Sequence, residues 1–287
     1  MADIAFEKGQ ADIGLTLLMR AWQQGDLRAL MRIGRIYDEG KLISQDRLKA
    51  CQSYAQAMEK FDKVDRFHPY ARLAAEAFRR SADCYAQGLS VGGWERNMNL
   101  AANLYFHAGV ILQDPVSLFE LAKLHLSGEG IAQNPAMAVY YLETSARKRY
   151  PPAQALLGSL MWEGKVMKRR PAPALALLML GKEGTSVQDR AWIITLYEDA
   201  VITASKDIEQ EAVVLVEKWK AVHGDPAQNA LQTASTSSAS EPMPLPARSP
   251  ARQLKGINLN LAKETDSFGN QTTRAVISPS DAASQRK

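Results

Sequence analysis

Four glycines set the frame of this chain. Taking Gly128 as origin in "LAKLHLSGEGIAQNPAMAVYYLETSA", His125 stands three residues before it and Ala138 ten after, followed by Tyr141, Leu142, Ser145 and Ala146. The same offsets recur around Gly40, with Tyr37 before it and Ala50, Ser53, Tyr54 and Ala57 after. They recur around Gly164, with Met161 before it and Ala174, Leu177, Leu178 and Gly181 after. A fourth copy surrounds Gly88, with Tyr85 before it; its second half, from Ala101 through Leu104, Tyr105 and Ala108, is shifted by three residues. Upstream, Gly14, Leu17, Leu18, Ala21 and Trp22 resemble an isolated second half. Self-similarity at 48, 40 and 36 residues is the mark of a repeat protein.

Each copy reads as helix–turn–helix. A glycine ends the first helix, because a helix C-terminus often needs a left-handed residue. A polar residue starts the second: Asp46 in one copy, Asn134 in another, where Pro135 follows in the order expected at a helix start. Small residues at Ala50, Ala101, Ala138 and Ala174 let helix backbones approach, and one hairpin alone cannot bury its apolar face. The fold expected is all-α, a right-handed superhelical solenoid of helix–turn–helix repeats over residues 1–184. Residues 185–223 keep helical periodicity without the landmarks and read as two capping helices. Residues 224–287 are rich in Ser, Thr, Pro and Ala and read as a disordered tail, with a short "INLNLA" able to order against a partner. The longest interval holds "MEKFDKVDRFHPYARLAAEAFRRSA", read as an extended helix and a loop broken at Pro69.

Composition narrows the function. With 35 basic and 31 acidic side chains the net charge is +4, and the basic residues are dispersed, which argues against nucleic acid. No run of about 18 apolar residues occurs, so no direct membrane insertion is expected. The two cysteines, Cys51 and Cys84, fit either one disulfide or two buried thiols, and their spacing gives no structural zinc site. "GKEGT" at Gly181 has the composition of a phosphate loop in the wrong order, and "GEG" at Gly128 lacks a third glycine at dinucleotide spacing. The four histidines at 68, 107, 125 and 223 lie far apart, with His125 in the slot that Tyr37 and Tyr85 fill elsewhere. Glu39, Glu129 and Glu163 stand at loop entries, where acids are solvated rather than paired for acid–base work. Catalytic, metal and cofactor sites are therefore not expected, and the chain reads as a binding protein. Candidate contact residues are Trp94 and Trp162, near loops, and Lys165, Lys168, Arg169 and Arg170 in the densest basic run.

The landmarks in "ALMRIGRIYDEGKLISQDRLKACQSYAQA" and "LAKLHLSGEGIAQNPAMAVYYLETSA" resemble the Sel1-like repeats, relatives of the tetratricopeptide repeats. The copies at Gly88 and Gly164 are looser, without the G-x-G pair. The order of parts is also similar to that of the alphaproteobacterial negative regulators of exopolysaccharide production, on "AWQQGD", "LFELAKLHLSGEG", "AQALLGSLMWEGK" and "DRAWI". That resemblance implies a periplasmic protein that binds the sensor domain of a membrane histidine kinase and holds its signalling down. The chain as written opens without the pattern of a signal peptide. Read by itself it implies the alternative, a cytoplasmic scaffold for an unrelated protein client.

Overall fold

The computed structural model describes residues 2–90, 92, 94–224, 260–265 and 271–276. Among the described residues twelve α-helices follow one another: α1 (Ala2–Glu7), α2 (Ala11–Gln23), α3 (Leu27–Glu39), α4 (Arg47–Lys60), α5 (Ala71–Gln87), α6 (Met98–Phe106), α7 (Pro115–Ser127), α8 (Pro135–Arg147), α9 (Pro151–Glu163), α10 (Pro171–Gly184), α11 (Arg190–Thr203) and α12 (Lys206–His223). From α1 to α11 each helix packs on its chain neighbours, α11 also meets α9, and α12 packs on α10, so the molecule is a file of hairpins. The pairs α3–α4, α5–α6, α7–α8 and α9–α10 are the four expected copies. A short α1 completes a hairpin with α2 that the sequence shows only as a second half.

Helix ends are written in the residues. Asp26, Asp46, Asn97, Asp114 and Asn134 cap α3, α4, α6, α7 and α8 by accepting a backbone N–H, and Pro opens α7 to α10. Gly40, Gly128 and Gly164 close α3, α7 and α9 in the left-handed conformation, with φ of 66°, 77° and 72°. Gly88 closes α5 with a similar φ of 68° but ψ of 161°, which sends the chain into the longer connection anticipated there. The other displacement in that copy is a π-helical turn, His107–Ile111, continuing α6.

One core runs from α3 to α9, a second joins α9 to α12, and a third sits under α1 to α3 around Phe6, Leu18 and Ile33. Ala50, Ala101, Ala138 and Ala174 are at most 1% exposed, at the helix–helix crossings. Helices α9 and α10 approach closely: a Cβ on Gly158 would lie 2.8 Å from the Ala174 carbonyl oxygen. Residues 185–223 form α11 and α12, whose buried Ile193, Ala200, Ala212 and Val216 close the last core.

Cys51 on α4 and Cys84 on α5 are joined in a disulfide, resolving the two readings of the cysteines, with Cα atoms 5.9 Å apart. At the repeat offsets of Cys51 the other copies carry Ala102 and Val139, and at that of Cys84 they carry Leu124 and Leu160. The disulfide therefore staples the one junction that carries the insertion, now seen as a loop at 61–70 between α4 and α5. The disordered tail expected at 224–287 lies for the most part outside the described residues. Two strands within it, β1 (Asn260–Thr265) and β2 (Gln271–Val276), pair antiparallel, and β2 lies alongside α4.

Candidate protein-binding surface

The turn inside each hairpin is held by a bond the landmarks do not reveal. Five residues after Gly40, Gln45 Nε2 donates to the Asp38 carbonyl at 2.7 Å. Five after Gly128, Gln133 Nε2 donates to the Leu126 carbonyl at 2.7 Å; five after Gly164, Arg169 Nε donates to the Trp162 carbonyl at 3.0 Å. In the shifted copy Arg96 Nε reaches the Ala86 carbonyl at 3.0 Å. The next residue closes the turn through its backbone: Asp46, Asn97, Asn134 and Arg170 N–H donate to the carbonyls of Tyr37, Tyr85, His125 and Met161. Carbonyls that a helix end leaves without partners are thus satisfied by the following loop. The signal was present in the sequence, as a long hydrogen-bonding side chain five residues past three of the glycines.

Beginning beside these turns at Asp38, the helices α3 and α5 and the Asp114 cap of α7 share a charged ladder. Arg35 forks onto Glu76, with Nε donating at 2.7 Å; Arg80 Nη1 lies 3.5 Å from Asp38; Arg79 reaches Asp83 at 3.8 Å and Asp114 at 3.5 Å. Two tyrosines from the second helices tie into it. Tyr105 donates to Asp83 at 2.7 Å and Tyr54 to Asp38 at 3.4 Å. Burial holds the Asp83 carboxyl above the usual range, against the Tyr105 bond and the arginines that lower it. Burial likewise raises the Tyr105 and Tyr54 hydroxyls and the Glu120 carboxyl. A cleft of about 380 Å³ opens here, walled by Asp38, Tyr54, Arg80, Asp83 and the disulfide. No group of three or more His, Cys, Asp or Glu side chains placed to hold a metal occurs among the described residues. The acids are spent on arginines and tyrosines.

The opposite edge of the file, where each hairpin connects to the next, carries the insertion. Phe61 is fully buried at its root, while Phe67 is 71% and Tyr70 40% exposed at its tip. Neither was singled out in the sequence, nor was Arg147-Lys148-Arg149 at the end of α8, because the basic run at 165–170 is longer.

The sequence candidates fall differently. Trp94 is a correction: it is 4% exposed and packs on Tyr85 with ring centroids 4.8 Å apart, so it fills the core and is not free to meet a partner. The reason is the longer turn after Gly88, which folds back so that Leu89 N–H reaches the Trp94 carbonyl. Trp162 is half-buried beneath the Arg169 guanidinium, 5.5 Å from its ring. Lys165 pairs with Glu163 at 3.3 Å, while Lys168 and Arg170 are exposed on the α9–α10 turn. His125 lies 5.6 Å from the Tyr141 ring, a packing position.

A family model for the Sel1 repeat matches residues 27–57 and 115–150. These two hairpins match the Sel1 repeat. The matched segments are α3–α4 and α7–α8; α5–α6, with its long turn and π-helical end, and α9–α10, with Val166 where the second glycine would stand, are outside them. Two curated relatives share the name "Exopolysaccharide production negative regulator". One, from Rhizobium leguminosarum bv. viciae, is 23% identical over 211 residues, 74% of this chain and 77% of that one. The other, from Rhizobium meliloti (strain 1021), is 21% identical over 211 residues, 74% of this chain and 76% of that one. Among solved structures, a Sel1 repeat protein from Oxalobacter formigenes superposes with a TM-score of 0.55 at 18% identity, covering 81% of this chain and 84% of that one, a likeness of fold.

Proposed function

We propose that this Sel1-repeat protein is a non-catalytic negative regulator of exopolysaccharide production, acting in the periplasm by binding the sensor domain of a membrane histidine kinase. What carries the reading is the reach of the likeness: the relatives bearing that name align over 74% of the chain, beyond the repeats the family model recognises. The Cys51–Cys84 disulfide supports an oxidising compartment, since such bonds are uncommon in the cytosol. Among the described residues no helix is long and apolar enough to cross a membrane.

The mechanism is a shift of population. The stacked hairpins and the 61–70 insertion dock the sensor, and restraint follows if the inactive sensor is bound more tightly than the active one. A ligand of equal affinity for both would leave output unchanged.

Deleting the gene is expected to raise kinase-dependent transcription and polysaccharide together, and unchanged output of both would refute the assignment. An alkaline phosphatase fusion to the gene with its upstream in-frame codons tests the compartment. Activity places the protein outside the cytoplasm; a silent fusion favours a cytoplasmic scaffold for another client.

A further inference from the structure

The last two hairpins carry charge of opposite sign at one edge. From Glu163 to Arg170, in the turn joining α9 to α10, four cations stand against one acid; from Glu198 to Glu211, across the join of α11 to α12, five acids stand against one cation. Lys220, near the C-terminal end of α12, meets Glu183 at that of α10 at 2.9 Å. So α12 runs beside α10 in the same sense and begins at the edge where α10 begins, next to the basic turn. Past the Lys165–Glu163 pair, neither run enters an ion pair among the described residues. Asp207 and Glu209 suit the first turn of α12, where the helix end favours acids. The rest run against their helices. Lys168, Arg169 and Arg170 lead into the N-terminus of α10, which disfavours cations, and Glu198 and Asp199 stand near the C-terminus of α11, which disfavours acids. Among these charges Ile202 is 81% and Val166 37% exposed, on end hairpins whose outer surface a stack ordinarily keeps polar.

We propose that this edge joins two copies of the chain about a two-fold axis, the basic turn of each seated on the acidic join of the other. A two-fold interface needs a surface complementary to itself, and patches of opposite sign on one edge supply it, the same contact forming twice. Other occupants fit less well. An anionic polymer or an acidic client drawn to the exposed Lys168 and Arg170 meets the exposed Glu198 and Asp199 on the same edge, whereas a second copy presents both signs. Val166 and Ile202 lie within the contact and lose their exposure there. The dimer is independent of the regulatory reading: it requires no kinase, and its failure would leave that reading where it stands.

Sedimentation velocity of the full chain tests this. The wild type is expected to dimerise as its concentration rises, and raising salt from about 0.05 M to about 0.5 M should weaken the dimer about tenfold or more. Two charge-reversed variants follow: Lys168→Glu with Arg170→Glu, and Glu198→Lys with Asp199→Lys. At these positions each variant alone sets like charge against like, and it is expected to stay monomeric where the wild type is dimeric. Mixed one to one, native turn meets native join at one contact and the reversed charges meet at the other, so a heterodimer should form. That rescue separates a lost interface from a lost fold, which circular dichroism checks directly. A wild type that stays monomeric up to about 0.1 mM, a dimer indifferent to salt, variants that dimerise alone as the wild type does, or a mixture that remains monomeric would each overturn the proposal.

Discussion

Gln133 and Leu126 face each other across the turn between α7 and α8, the side-chain amide donating to the main-chain carbonyl at 2.7 Å. Gln45 and Asp38 repeat the arrangement at the same distance between α3 and α4. Both amides sit over the glycine that ends the first helix, and a Cβ added to Gly128 would come within 3.2 Å of the Gln133 Cβ. Gln133→Ala should lower stability by about 1 kcal/mol, the typical net worth of one hydrogen bond, read as a fall in the urea midpoint at unchanged slope. Gly128→Ala should cost about 1–2 kcal/mol for the left-handed backbone alone. Combining them tests whether the two share one turn: their costs should add to less than the sum.

How much of this was readable in advance depended on whether a residue's role is local. Gly40, Gly128 and Gly164 impose backbone geometry on their own, so their offsets alone locate the turns. Asp46 and Asn134 likewise cap the helix they begin. Trp94 misleads because its neighbour Tyr85 lies on the far side of a turn whose path no periodicity describes. The Cys51–Cys84 bond joins two helices that are adjacent only because α4 and α5 are, which spacing alone leaves undetermined.

The disulfide should be worth about 2–4 kcal/mol, mainly by restricting the unfolded chain over its 33-residue separation. The double variant Cys51→Ser, Cys84→Ser should therefore show a lower denaturation midpoint, and a reducing agent should lower the wild type while leaving the double variant where it is. Alkylation of the denatured, unreduced protein should find no reactive thiol.

His107 gives a pH dependence of known sign. Its ring stacks on Phe78 with centroids 4.0 Å apart, Nε2 is buried without a hydrogen bond, and burial lowers its pKa below the ordinary 6.5. The unfolded chain takes up the proton first as pH falls, so stability is full above about 6.5 and declines below it towards the folded-state value. His125 is lowered by burial in the same direction. Asp83 and Glu120, raised by burial, act oppositely, so the informative quantity is a difference. Between pH 7 and 5 the gap in unfolding free energy should move in favour of His107→Phe over wild type, measured by urea titration at each pH.

Ala138 is wholly buried where α8 meets the rest of the core. Ala138→Leu should cost about 1–3 kcal/mol through overpacking. Tyr140 sits two positions along the same helix at 46% exposure, so Tyr140→Ala should change stability by no more than about 0.5 kcal/mol. Thermal melts of the two variants side by side separate the face of α8 that builds the stack from the face that meets water.

Both sulfurs belong to the first third of the chain. Once an oxidising compartment closes the bond, the leading hairpins are locked together, and an error in their packing would be inherited by every hairpin stacked on them.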